Sequence, residues 1–173
     1  MKTMDFAEDI KNGATFIYPT DTIYGLGCDA TNLDSVNLIR KIKYRDKDKP
    51  ISIIAPSIEW IKEHCIVDDE LLKKYLPGPY TLILKKKDPE FLNHISSNDS
   101  LGIRIPDCEF TKLVEAAKVP FVTTSVNFVG EPFAIKISDI DHKIIDSVDI
   151  VIGVGKLDGR PSTIVVEGKE VKR

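Results

Sequence analysis

The sequence has 173 residues, 42% of them apolar and 29% charged, with a net charge of −3. That balance fits one domain with a hydrophobic core and excludes a disordered chain. It also argues against a generic nucleic-acid coat, which is basic overall, although a local cationic pocket is compatible with any total. The opening Met1-Lys2-Thr3-Met4-Asp5-Phe6 lacks the apolar core of a signal peptide, and no apolar run approaches a membrane span. A soluble, cytoplasmic protein without membrane contact is therefore expected. Cys28, Cys65 and Cys108 have neither disulfide-framework nor zinc-site spacing, and His64, His94 and His142 are equally scattered. Free, mostly buried thiols and no protein-held metal follow.

In chain order, residues 5–11 read as a short helix ended by Gly13. Residues 15–18 form an apolar strand. Apolar positions 33, 36, 38, 39 and 42 predict a helix over 33–43, with Asn32 or Asp34 as its cap. Residues 51–55 read as a strand, and Ser57 caps a helix through His64. A helix over 69–76 stops at Pro77-Gly78-Pro79. Strands over 80–85 and 101–105, a helix over 110–118 and a buried strand over 121–124 follow. A helix around 138–145 and strands near 150–152 and 163–166 complete the chain. Strands alternating with helices predict an α/β fold. Not every connection is long enough for a helical crossover, so a mixed sheet is expected. No repeat or linker divides the chain, so residues 1–173 are expected to form one domain.

Six segments stand out. Tyr18-Pro19-Thr20-Asp21-Thr22-Ile23-Tyr24-Gly25-Leu26-Gly27 follows a strand and is either a structural glycine-rich turn or an anion-binding nest with added hydroxyl donors. It is neither a Walker A loop nor a dinucleotide fingerprint. From Lys41 to Lys49, cations occupy every second position. If the chain is extended there, they share a face, as a solvated loop or as a phosphate clamp with Arg45 as the fork and Lys43 and Lys49 as point charges. Leu76-Pro77-Gly78-Pro79-Tyr80-Thr81 is a stiff turn that sets where Thr81 points. Arg104, between Ile103 and Ile105, projects opposite to its neighbours, into solvent or towards a carboxylate in a cleft. Ser125 and Asn127 end an apolar strand as caps or as nucleotide contacts. Ser162 enters a strand after Pro161. No nucleophile lies beside a histidine, and no carboxylate pair is spaced for acid–base work. Sites built of Thr, Ser, Asn, Lys and Arg suit positioning and charge neutralisation in nucleotidyl transfer.

Together these blocks resemble the YrdC/TsaC family: Pro-Thr-Asp-Thr-x-Tyr-Gly-Leu, Lys-x-Arg with a nearby Lys-Pro, Pro-Gly-Pro-x-Thr, x-Arg-x-Pro, Thr-Ser-x-Asn with Gly-x-Pro, and Pro-Ser-Thr-Ile, in family order from residue 18 to residue 165. The resemblance implies a single-domain twisted mixed sheet with helices on its faces around a large cationic cavity. It implies a threonylcarbamoyl-AMP synthase activity, which joins L-threonine, bicarbonate or CO2 and ATP and releases pyrophosphate. Mg²⁺ would arrive with ATP. A downstream threonylcarbamoyl transferase complex would complete N6-threonylcarbamoyladenosine in tRNAs reading ANN codons, and a weak direct tRNA contact belongs to the same picture.

By position, the resemblance gives Lys43, Arg45 and Lys49 to the ATP phosphates, the first two as catalytic residues. It gives Ser100, Ser125 and Asn127 to the nucleotide. Thr22, Arg104, Thr123 and Ser162 go to threonine, with Thr20, Tyr24 and Thr81 as lesser pocket residues and Arg173 as a further nucleotide contact. Val126 replaces the family's usual Ala, Phe133 stands where relatives carry a small polar residue, and the C-terminal domain of longer relatives is not expected. Two other readings remain open: an RNA-binding or ribosome-maturation module, and a carbamoyl-adenylate enzyme like the YrdC-type domain of hydrogenase-maturation proteins.

Overall fold

A computed structural model describes residues 5–171. Helices α1 (Phe6–Lys11), α2 (Leu33–Lys43), α3 (Ile58–His64), α4 (Asp69–Tyr75), α5 (Glu109–Ala117) and α6 (His142–Ile145) accompany a ten-stranded sheet. Its strands are β1 (Phe16–Pro19), β2 (Tyr24–Gly27), β3 (Ser52–Ile54), β4 (Cys65–Ile66), β5 (Tyr80–Lys86), β6 (Ser100–Arg104), β7 (Phe121–Ser125), β8 (Ile150–Val151), β9 (Thr163–Val166) and β10 (Lys169–Val171). The order is β10-β9-β5-β6-β3-β7-β2-β1-β8, with β4 also paired to β5. The pairs β1–β8, β3–β6 and β5–β9 are parallel and the others antiparallel, which makes the sheet mixed as expected.

Strand alternation separates two cores. Phe16 and Tyr18 point to one face and Ile17 to the other; Ile54 and Ile53, and Phe121 and Val122, divide the same way. The smaller core packs under α1 and α5, where Tyr18 stacks on Phe110 at 4.1 Å between ring centroids and Phe16 and Phe121 meet the stack edge-on. The larger core takes Val36, Ile39 and Ile42 of α2, Ile61 of α3 and Leu72 and Tyr75 of α4. Helix starts follow the sequence signals: Asn32, Ser57 and Asp68 each accept a backbone N–H of the first turn.

Three strands escape the sequence pattern. β2 carries two glycines in four residues and reads as a loop, yet both its edges are paired, to β1 and β7. A Cβ at Gly27 would stand 1.8 Å from the Val122 carbonyl oxygen, so the close approach of β2 to β7 requires glycine. β4 has only two residues. β10 returns from β9 through Glu167 and Gly168, both at positive φ, the geometry of a two-residue hairpin. The helix expected over 138–145 is broken into a 3₁₀ turn (Ile137–Asp139) and α6, because Asp141 caps a new start by accepting the Lys143 N–H. Cys28 and Cys65 are buried, Cys108 is half-buried, and all three are free. Among the described residues no helix is long and apolar enough to cross a membrane.

Candidate active site

The site begins at the end of α2. Tyr44 adopts a left-handed conformation (φ 54°) and its N–H bonds back to the helix, while the Arg45 N–H reaches the Arg40 carbonyl at 2.9 Å. This reversal at a non-glycine residue costs about 1 kcal/mol. It places the flanking Lys43 and Arg45 on one cavity wall. The segment does not run extended as its alternating charges suggest: Lys49 N–H bonds to the Asp46 carbonyl in a turn. Lys41 therefore stays on the outer helix face, and Lys49 is exposed and paired at 3.9 Å with Asp46.

The cavity has a volume of about 170 Å³ and lies over the middle of the sheet. Register explains its floor. Gly25 of β2 sits opposite Ser125 of β7, and Thr123 of β7 sits opposite Ser52 of β3; all four line it. Arg104 enters from the end of β6, Thr81 from β5, and Ser162 from the residue before β9. Thr20, Thr22 and Tyr24 come from the β1–β2 turn and the start of β2. Among the described residues the lining holds three cations, Lys43, Arg45 and Arg104, and no carboxylate. A second cavity of about 730 Å³ adjoins it, sharing Thr22 and Pro161 and adding Asp21, Tyr80, Phe133 and Arg160.

Hydrogen bonds fix the polar side chains. Thr20 Oγ1 donates to the Ile23 carbonyl at 2.7 Å and lies 2.9 Å from Thr22 Oγ1. Thr81 and Ser162 hydroxyls are 2.7 Å apart. Tyr24 Oη donates to the Gly155 carbonyl at 2.8 Å and accepts the Val154 N–H at 3.0 Å, tying the loop after β8 to the cavity wall. Lys43 Nζ is 2.9 Å from Thr124 Oγ1, 2.5 Å from the Ser125 carbonyl and 3.3 Å from Ser125 Oγ. Burial, and after it the Arg45 charge, lowers the Lys43 ammonium from the usual lysine range to about 7. Burial also lowers Arg45, whose Nη2 donates to the Pro50 carbonyl at 2.6 Å while its Nε has no partner. Arg104 is 6% exposed, and its Nη2 meets Asp21 Oδ1 at 2.6 Å.

Of the residues singled out from sequence, Thr20, Thr22, Tyr24, Lys43, Arg45, Thr81, Arg104, Thr123, Ser125 and Ser162 converge on this cavity. Lys49, Ser100 and Asn127 are not in its lining. Ser100 stands at the far end of β6, about 13 Å from Arg104 by strand rise. Asn127 accepts the Ser125 hydroxyl at 2.5 Å and donates to the Glu131 carbonyl at 2.6 Å, which braces the loop beyond β7. Arg173 lies outside the described residues. Sequence reasoning missed Asp21, Thr124 and Arg40. Arg40 is 5% exposed and donates to four carbonyls: Asp46 at 3.0 Å, Lys49 at 2.7 Å, His94 at 3.1 Å and Ile95 at 3.3 Å. An arginine on the apolar stripe of α2, one residue after Ile39, was the available signal.

The chain is similar to known proteins over almost its whole length. Residues 8–172 match the Sua5_yciO_yrdC family model, described as "Telomere recombination". A candidate threonylcarbamoyl-AMP synthase of Methanocaldococcus jannaschii is 37% identical, with 95% of this chain and 80% of that protein covered. The threonylcarbamoyl-AMP synthase of Pseudomonas entomophila is 30% identical, with 92% and 88% covered. P. abyssi Sua5 complexed with L-threonine superposes with a TM-score of 0.80 at 26% identity; 98% of this chain matches, but it spans only 53% of that longer one. E. coli YciO gives 0.80 at 25% identity, with 96% and 85% covered. The chain belongs to the Sua5/YciO/YrdC family.

Proposed function

We propose that this chain is a threonylcarbamoyl-AMP synthase, a nucleotidyltransferase that converts L-threonine, bicarbonate or CO2 and ATP into L-threonylcarbamoyladenylate and pyrophosphate. The observation that carries the reading is the meeting of Lys43, Arg45 and Arg104 with a ring of hydroxyls in one cavity, whose lining among the described residues has no carboxylate. Hydroxide generated on a protein-held metal would need a different set of side chains. Joining two anions needs this one, because cations must offset the repulsion between the triphosphate and the incoming nucleophile.

In the first step the neutral threonine amine attacks the carbon of CO2: the N–C bond forms as one C=O π bond opens onto oxygen, and the nitrogen's extra proton passes to solvent, leaving a carbamate. A carbamate oxygen then attacks the α-phosphorus. The new O–P bond forms as the bond from that phosphorus to the bridging oxygen breaks, and pyrophosphate departs with its electron pair. Lys43 and Arg45 hold the phosphates, and Arg104 anchors the threonine carboxylate with Thr22, Ser162 and the Thr123 backbone around it. Thr20 holds Thr22 and Thr81 holds Ser162 through their hydroxyl contacts, and Tyr24 ties the loop after β8 to the cavity wall. Ser125 contacts the nucleotide, with Lys49, Ser100 and Asn127 as outer contacts. Mg²⁺ would supply charge on the phosphates; with only hydroxyls such as Thr124 and Ser125 nearby, it must take its anionic ligands from ATP. The product is a mixed anhydride, so it must be kept from water and passed to a transferase acting on tRNA adenosine. Residues 1–173 form one catalytic domain in this reading, acting in the cytoplasm.

Pyrophosphate release from ATP with Mg²⁺, with and without threonine and bicarbonate, tests the reading together with mass analysis of the product. Release that requires both co-substrates and yields threonylcarbamoyl-AMP is expected. Release supported by carbamoyl phosphate instead, or none at all, would overturn it.

A further inference from the structure

We propose that Asp21 is a specificity-determining residue that reserves Arg104 for a carboxylate and keeps phosphate off it. This rests on the reading of Arg104 as the threonine anchor. It addresses a difficulty that reading creates. Lys43, Arg45 and Arg104 line one cavity of about 170 Å³, and the triphosphate and the threonine carboxylate must sort themselves among them. A triphosphate carries several charges and threonine's carboxylate one. Left bare, the planar guanidinium of Arg104 would bind phosphate oxygens as readily as a carboxylate.

The three cations are not held alike. Lys43 is held by two hydroxyls and a carbonyl, and Arg45 by a carbonyl. Neutral acceptors orient a cation and leave its charge uncancelled. Arg104 alone is matched with a carboxylate: Asp21 Oδ1 accepts from Nη2 at 2.6 Å, with the two side chains 11% and 7% exposed. The second Asp21 oxygen accepts the Asp107 N–H at 3.0 Å, so this carboxylate is fixed from both sides. Asp21 is absent from the lining of the first cavity and borders the second, so its contact with Arg104 is made from outside the first cavity's lining. Nη1 stays near the cavity, 3.5 Å from Thr22 Oγ1, and Nε is buried without a partner.

Arg104 with Asp21 is thus a neutral pair that still offers N–H donors. Zwitterionic threonine, neutral overall, loses little from the nearby carboxylate and keeps its directional hydrogen bonds. A phosphate dianion brings twice the charge of a carboxylate towards Asp21 in a poorly screened site, and the repulsion scales with that charge. The triphosphate is left with Lys43 and Arg45. Placement of the two substrates then follows from which cation has an anionic partner.

The test is L-threonine binding by isothermal titration, without ATP, in the presence and absence of millimolar inorganic phosphate, for wild type, Asp21→Asn, Asp21→Glu and Arg104→Lys. In wild type, phosphate is expected to leave the threonine dissociation constant unchanged within about twofold. In Asp21→Asn, which keeps the shape and removes the charge, the same phosphate should weaken threonine binding at least about tenfold. Asp21→Glu restores the carboxylate and should restore indifference to phosphate. A purely structural role for Asp21 would change threonine binding without creating phosphate competition. The proposal is overturned if phosphate displaces threonine from wild type, an arm that needs no variant to fold, or if Asp21→Asn binds threonine and still ignores phosphate. Failure of the underlying reading looks different: wild type then binds no threonine, or Arg104→Lys binds it as well as wild type does.

Discussion

Replacing Arg40 by Met should loosen the turn that carries Arg45 while leaving the threonine side of the cavity intact. Arg40 fastens the Asp46 and Lys49 carbonyls to those of His94 and Ile95. Two of the four have a second donor, since Lys49 N–H reaches Asp46 and Ile51 N–H reaches Ile95. The Lys49 and His94 carbonyls have no other intramolecular donor described. An orphaned buried acceptor costs roughly 1–3 kcal/mol, and both residues lie near solvent, so the lower half applies and Arg40→Met should lose about 2–4 kcal/mol in all. Part is returned because a buried guanidinium beside Arg45 no longer has to be desolvated. Arg40→Lys keeps the charge, but a single nitrogen cannot span both pairs of carbonyls, so it should fall between. Urea unfolding gives the stability term, and steady-state kinetics should show the ATP KM rising about tenfold with the threonine KM unchanged. A wild-type urea midpoint, or equal rises in both KM values, would refute the reasoning.

Lys43 makes a pH prediction. Its folded pKa, lowered to about 7 by burial and then by Arg45, lies below the ordinary value of about 10.4. Between these the unfolded chain binds the extra proton, so Lys43's contribution to stability rises with pH across that window, and Lys43→Met should remove this slope from urea midpoints. Bound triphosphate favours the ammonium, so ATP binding near pH 8 should take up a proton; titration in buffers of different ionisation enthalpy would detect it, and uptake unchanged in Lys43→Met would contradict the assignment. Gly27→Ala must move β2 off β7 to relieve the 1.8 Å approach, and should cost more than about 3 kcal/mol or prevent folding, checked by circular dichroism and urea melts. Thr81→Val removes one partner of the hydroxyl pair with Ser162, and should cost about 1–2 kcal/mol in stability and raise the threonine KM more than the ATP KM.

Much of the fold was readable where a local signal and the tertiary outcome coincide. The apolar spacing of α2 and the caps at Asn32 and Ser57 gave helices within a residue or two of those found. β2 was not readable, because its glycines are there for the approach to Val122 across the sheet, a constraint invisible along the chain. Most of the cavity residues were named from their motifs. The lysine ladder misled, since an alternating charge pattern implies one face only if the chain is extended, and the left-handed Tyr44 turns it instead. Asp21 and Arg40 were missed for a related reason: their roles consist of partners 83 residues and about 54 residues away.

The buried cations divide by what holds them. Arg40 and Lys86 donate only to carbonyls, and Lys43 to a carbonyl and hydroxyls. Dipolar acceptors fix a cation without supplying an opposite charge. At Lys86 the consequence is structural, because its three carbonyls, of Pro89, Phe91 and Ser96, fold the loop after β5 around it. At Lys43 the field left over is directed into the cavity that it lines, while burial lowers Lys43, Arg40 and Lys86 alike. A carboxylate beside Lys43 would stabilise the free protein more and would compete with phosphate for the ammonium. The sequence places its carboxylate on Arg104 instead, where a singly charged group is to bind. Lys43→Arg and Arg104→Lys therefore test different things despite equal charge. The first disturbs a site defined by uncancelled charge, the second one defined by the geometry of a planar fork already half occupied by Asp21.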